Sequence, residues 1–136
     1  MWKGRVAILL LLLIALLSGC GRGTTGDAGR FVDFGELLTN AERYHGHQIC
    51  TAGVYVLGFE TSALGASTYQ RGSAIYLTEP AIWVGQAEIH STGDCFSSDT
   101  APPAEFCQVE VCGLFESGGG FGHLGGYEYQ LRGLEH

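Results

Sequence analysis

The sequence predicts a small, mainly β domain: about five strands close, or nearly close, into a barrel, preceded by one short N-terminal helix. Three observations carry this expectation. Stretches rich in β-branched and aromatic residues, some alternating in polarity, are separated by turns containing glycine and proline. After the apolar leader, only Glu36–Arg43 reads as a helix. Glycines at 53, 58, 113 and 133 fall inside or at the ends of the strands, where closing a small barrel requires bends and bulges.

Taken in order, Met1–Arg5 carries Lys3 and Arg5, and Val6–Leu17 (VAILLLLLIALL) is unbroken apolar sequence. Ser18, Gly19 and Cys20 follow, completing the pattern of a secretory signal. Its apolar run reaches only about 18 Å as a helix, against roughly 30 Å of bilayer hydrocarbon, so it is a poor permanent span. Gly21–Arg30 (GRGTTGDAGR) is small, polar and without periodicity, and reads as a flexible tether. The expected organisation is a signal over 1–19, a tether over 20–30 and one β domain over 31–136.

Within that domain Phe31 begins an extended stretch, and the Glu36–Arg43 helix brings Leu37, Leu38 and Ala41 toward one face. The turn Tyr44-His45-Gly46-His47 leads into a strand over Gln48–Gly58. A second extended run lies around Thr61–Thr68, a strand over Ser73–Thr78, and Ala81–Gly85 continues or repeats it after Pro80. Ser91–Glu105, with Gly93, Asp94 and Pro102-Pro103, reads as a loop. Gln108–Phe115 and Gly126–Leu134 supply the last two strands, the latter with Tyr127, Tyr129 and Leu131 on one face.

The formal net charge of −7 becomes −9 once Lys3 and Arg5 leave with the signal. The remaining arginines, at 22, 30, 43, 71 and 132, are too scattered to form the basic stripe that phosphate backbones require. Nucleic acid is excluded as a partner. Setting Cys20 aside, Cys50, Cys95, Cys107 and Cys112 form an even set, which in an exported domain suggests two disulfides with three possible connectivities.

Leu17-Ser18-Gly19-Cys20 resembles the lipobox of bacterial lipoproteins. That resemblance implies a diacylglyceryl thioether on Cys20, cleavage just before it and acylation of the new amino terminus, giving a stable membrane-lipid anchor. The alternatives are an ordinary signal with an incidental cysteine and a short membrane helix. Gly21, rather than Asp, after the lipidated position implies outer-membrane sorting if the source is Gram-negative. Glu36-Leu37-Leu38-Thr39-Asn40 with Tyr44-His45-Gly46-His47-Gln48-Ile49 and Gly53 resembles the opening of small bacterial OB-fold-like envelope proteins. Gly58-Phe59-Glu60, Ser62-Ala63-Leu64 and Ala74-Ile75-Tyr76-Leu77 resemble a group of uncharacterised proteins, as do Val109–Phe115 and Gly122-His123-Leu124-Gly125. The likeness implies a five-stranded OB-like Greek-key barrel and no assigned activity; the insert around Pro80–Ala104 and the four cysteines depart from it. If that topology holds, Cys50 pairs with Cys112, and Cys95 with Cys107.

Candidate chemistry is sparse. His45-Gly46-His47 with His90 or His123 could hold a divalent metal, but no further ligand is spaced to complete a known set. His123 could act as a general base, yet no nucleophile is placed beside it by any motif. Glu60, Glu79, Glu110 and Glu128 form no identifiable pair. Tyr55, Tyr76, Trp83, Tyr127 and Tyr129 could stack on a sugar or base, or simply pack. Gly120-Phe121-Gly122-His123-Leu124-Gly125 satisfies G-x-G-x-x-G, but a strand follows it instead of a helix, so no nucleotide is expected. The expectation is a lipid-anchored, non-enzymatic envelope module without cofactor or metal, whose partner is a protein, peptide or glycan. Binding falls to the loops Phe59–Gly72 and Glu116–Gly126, through Phe59, Glu60, Phe121, His123 and Tyr127. The alternative is a metal-binding or hydrolytic domain using His45, His47 and His123.

Overall fold

A computed structural model describes residues 29–99 and 101–134. The signal, the lipobox-like segment with Cys20 and the tether up to residue 28 lie outside the described residues.

Strand β1 (Arg30–Phe31) runs parallel to the start of β2. Asp33 then caps α1 (Phe34–Thr39) by accepting from the Glu36 amide at 3.1 Å, which places an acceptor at the unpaired first turn. Phe34 and Leu37, three residues apart, are both buried. The single expected helix is in fact two: Asn40, with φ −118° and ψ 34°, leaves helical geometry and starts the one-turn α2 (Ala41–Tyr44). Buried Tyr44 donates its hydroxyl to Glu36, tying the two pieces together. Gly46, at φ +78°, turns the chain into β2.

The described residues form nine strands where about five were expected: β2 (Gln48–Gly58), β3 (Thr61–Gly65), β4 (Thr68–Arg71), β5 (Ala74–Leu77), β6 (Ile82–Gly85), β7 (Glu88–Ser98), β8 (Ala104–Phe121) and β9 (Tyr127–Arg132), after β1. Seven of them build one large mixed sheet in the order β1-β2-β3-β6-β9-β8-β7, and β2 also pairs with β8. Of these pairings, β1–β2 and β6–β9 are parallel; the others are antiparallel. Gly53 is required inside β2, because a Cβ there would lie 2.4 Å from the Gly65 carbonyl oxygen of β3.

Three further expectations are corrected. The strand around Ser73–Thr78 does not join the large sheet; β4 and β5 form a separate two-stranded hairpin. Ser91–Glu105 is not a loop, since most of it lies in β7 and the start of β8. The Gly93-Asp94 pair that suggested a turn sits in a register shift between Ser91 and Cys95, a bulge within continuing strands. Every residue of β7 except Ser98 is exposed, so no buried face printed an alternating pattern on its sequence. The proposed loops also shrink. Phe59–Gly72 contains β3 and β4, leaving only Phe59-Glu60 between β2 and β3, and Glu116–Phe121 is the end of β8.

The core has two parts. The larger packs Ile49, Leu64, Ile82, Val84, Val109, Val111, Phe115 and Leu131 from the sheet against Val32, Phe34, Leu37 and Tyr44. The smaller joins Val54, Val56, Ala63 and Phe106 to Ile75 and Leu77 of the β4–β5 hairpin. Because Val54 and Val56 alternate with Tyr55, which packs on the larger cluster, the end of β2 is covered on both faces. Disulfides join the cross-strand pairs Cys50–Cys112 and Cys95–Cys107. They point to an oxidising, non-cytoplasmic compartment. Among the described residues no helix is long and apolar enough to cross a membrane.

Candidate binding site

The β4–β5 hairpin folds over the smaller core cluster without filling the space beneath it. Two-residue connections fix its position: β4 reverses into β5 at Gly72-Ser73, with Gly72 at φ +65°, and Tyr69 lies opposite Tyr76 in the ladder. These rings stack with centroids 5.5 Å apart. At the base of the hairpin, Thr78 donates its amide to the Ser67 carbonyl at 2.9 Å and its hydroxyl to the same oxygen at 3.0 Å.

A cleft of about 290 Å³ opens between this hairpin and the ends of β2 and β8. Its floor is Val56, Phe106 and Ala104, its hairpin wall Tyr69, Ile75, Tyr76 and Leu77, and its rim Phe59, Glu79, Pro102 and Pro103. Tyr127 of β9 completes it. Val56 and Phe106 of the floor are buried and Ala104 is half-buried, but Phe59 is 71 % exposed, Tyr69 49 % and Tyr76 46 %, an unusual concentration of open aromatic surface.

The residues singled out from the sequence gather at this end. Phe59 and Tyr127 line the cleft directly. Phe121 is the cross-strand partner of Tyr127, and Glu60 binds His123, with Oε2 to Nε2 at 3.1 Å. That pair ties the β2–β3 turn to the β8–β9 connection. The connection itself is a short 3₁₀ turn over His123–Gly125, entered through Gly122 at φ 70°, ψ −165°. Gly122 lies directly on the Trp83 and Tyr127 rings, so this glycine of the run serves close packing, whereas Gly118, Gly119 and Gly120 have open space where a Cβ would go. Leu124 at its tip is 91 % exposed.

The histidines do not come together. His45 accepts the Ser117 amide at Nδ1, 3.0 Å away, near the buttressing pair in which Glu116 receives Gln130 at 2.6 Å and Arg132 at 2.9 Å. Among the described residues, no group of possible metal ligands includes a histidine. The two groups that lie close enough, Cys50-Glu110-Cys112 and Cys95-Glu105-Cys107, contain sulfurs already used in disulfides.

No protein family, curated protein or solved structure matches this chain. The site is therefore read from its own chemistry. Tyr127 is held above the ordinary phenol range, first by burial and then by the charge of Glu79, so it stays a neutral hydroxyl within the cleft. The Glu79 carboxylate is fixed by the Ala81 amide, which donates to Oε2 at 3.1 Å. The sequence marked Phe59 and Tyr127 but missed Tyr69, Phe106 and the prolines as walls, and took Tyr76 only as a possible stacking residue. The available signal was Gly72-Ser73 between two short runs rich in β-branched and aromatic residues, a two-residue hairpin pattern that would have set Tyr69 beside Tyr76.

Proposed function

We propose that this chain is an exported, lipid-anchored module of the bacterial cell envelope that binds a ligand in the cleft beneath the β4–β5 hairpin, without catalysing a reaction. The observation that carries this reading is the open aromatic cleft, which rests on buried Val56 and Phe106 while Phe59, Tyr69 and Tyr76 stay exposed. Glu60, next to Phe59 of the rim, and His123 are engaged with one another, with Oε2 and Nε2 3.1 Å apart.

The scaffold is best read as an OB-like barrel. In support, β2–β3–β6–β9–β8 and back to β2 is an unbroken circuit of pairings whose one parallel step is β6–β9. The leader, the lipobox-like Leu17–Cys20 and the disulfides support export and anchorage at Cys20. The chain enters the domain at Arg30, opposite Ile49, whereas the cleft lies by Gly58. Gly58 is nine positions on from Ile49, about 30 Å along β2, so the cleft faces away from the anchored end. This favours an envelope protein, peptide or glycan over a headgroup of the anchoring bilayer.

Two measurements test the reading. Cys20→Ser is expected to abolish incorporation of labelled fatty acid; persistent labelling refutes the anchor. A photoreactive phenylalanine at position 59 is expected to crosslink a defined envelope component, whereas one at Leu134 is not. Equal crosslinking from both positions refutes the cleft as the binding surface.

A further inference from the structure

The chemistry of the cleft narrows its ligand class; this inference rests on the binding role just proposed. Among the residues that line it, Glu79 is the one formal charge, and no lysine, arginine or histidine contributes to the wall. Arg71, the arginine of the hairpin, does not line it. A phosphate, sulfate or carboxylate would enter beside a carboxylate with nothing to balance it. A neutral sugar would find stacking faces but few polar side chains to fix its hydroxyls, since those of the lining are limited to Thr61, Glu79 and the tyrosines.

Glu60, in the neighbouring turn, contacts His123, whereas among the described residues no cation pairs with Glu79. The Ala81 amide positions it instead. A fixed carboxylate beside exposed tyrosine and phenylalanine faces has the composition of an aromatic cage. The ring faces attract positive charge through their quadrupoles, and the carboxylate supplies the counter-charge. The acidic balance of the whole chain acts in the same direction at longer range.

We infer that the cleft binds an organic cation, an ammonium or guanidinium group held between Phe59, Tyr69, Tyr76 and Tyr127 with Glu79 as its counter-ion. A volume near 290 Å³ suits one such head with its alkyl stem, either a free small amine or a basic side chain presented by a peptide.

The test is a titration of the lipid-anchored chain in detergent, in which Trp83 is the sole tryptophan because Trp2 leaves with the signal. Trp83 stands 5.3 Å from Tyr127, which reports on the cleft. The added compounds are N-acetyl-arginine amide, its neutral citrulline counterpart, N-acetyl-aspartate amide, the free diamine putrescine and the tripeptide Gly-Arg-Gly. Saturable binding of the arginine compound is expected, about tenfold tighter than its citrulline counterpart. Glu79→Gln is expected to remove that difference, and Tyr76→Ala to weaken binding while the far-ultraviolet spectrum is retained. Tighter binding of the tripeptide than of putrescine assigns the cation to a peptide; the reverse order assigns it to a free amine. Equal binding of citrulline and arginine compounds, preference for the aspartate compound, or absence of saturable binding overturns the inference. If Phe59 nonetheless crosslinks a partner, the cationic class fails while the cleft reading stands; without that crosslink, both fail.

Discussion

Replacing Gly122 by alanine should damage the fold far more than the same change at Gly119, three residues earlier in the same glycine-rich run. Both have positive φ, +70° and +85°. Gly122 also has ψ −165°, a region open essentially to glycine alone, which costs an alanine about 1–3 kcal/mol. A Cβ on Gly122 would lie 2.6 Å from Trp83 Cδ2 and Cε3 and 2.8 Å from Tyr127 Cδ2. Those rings must shift, at about another 1–3 kcal/mol for overpacking. A Cβ on Gly119 meets nothing within 4 Å, so only its backbone cost of about 1–2 kcal/mol applies. The expected losses are therefore about 2–6 kcal/mol for Gly122→Ala and about 1–2 kcal/mol for Gly119→Ala. Urea denaturation of the chain freed of its signal, followed through the emission of Trp83, measures both. Gly122→Ala should in addition shift the native emission, because its Cβ presses on the reporter itself. Equal losses, or an unchanged native spectrum, would refute the close-packing account of this loop.

Three further outcomes are expected. Removing the Cys50–Cys112 crosslink with paired serines should cost about 4 kcal/mol and removing Cys95–Cys107 about 3 kcal/mol, from enclosed separations of 62 and 12 residues; an inverted order in denaturant unfolding counts against the chain-entropy account. Thr51 is fully buried and, among the described residues, its hydroxyl has no hydrogen-bond partner, so Thr51→Val should raise stability by about 1 kcal/mol, and a loss would reveal a partner. Glu116 is held below the usual carboxylate range, chiefly by the Gln130 hydrogen bond and then by Arg132, against an opposing desolvation effect. Its stabilising contribution is present above the ordinary carboxylate value and disappears as pH falls through the lowered native one. Glu116→Gln should therefore flatten the acid side of the stability curve, and an unchanged acid limb would contradict the assignment.

Much of the β character was legible because several strands carry a buried face. The end of β9 shows why: buried Leu131 lies between half-buried Gln130 and Arg132, an order that a polarity pattern reveals. β7 was illegible for the opposite reason: its residues face solvent on both sides, and the bulge that breaks its ladder imitates a turn. The helix boundary failed locally, since Asn40 interrupts a run whose apolar spacing continues to Ala41. Phe59, Glu60, Phe121, His123 and Tyr127 came from two separate connections, which meet through the Glu60–His123 contact and the shared Phe59 and Tyr127 lining of the cleft. Tyr69 and Tyr76 escaped notice as a unit because stacking across a hairpin depends on register, which Gly72-Ser73 sets.

The two-faced packing of β2 explains why an open cleft lies at this end of the sheet. Near Ile49 one face meets the larger core; near Val56 the other face is apolar as well and needs cover. The β4–β5 hairpin supplies that cover with Ile75 and Leu77, but Tyr69 and Tyr76 remain half open beyond them. A ligand in the cleft would thus complete a partly finished layer over strands already held by the larger core. Floor and walls should consequently respond differently to mutation. Truncating Phe106, which is 2 % exposed and stacked on Phe96, would destabilise the domain together with binding. Truncating Tyr76 removes a ring that the fold leaves half in solvent, so its loss should fall mainly on the ligand.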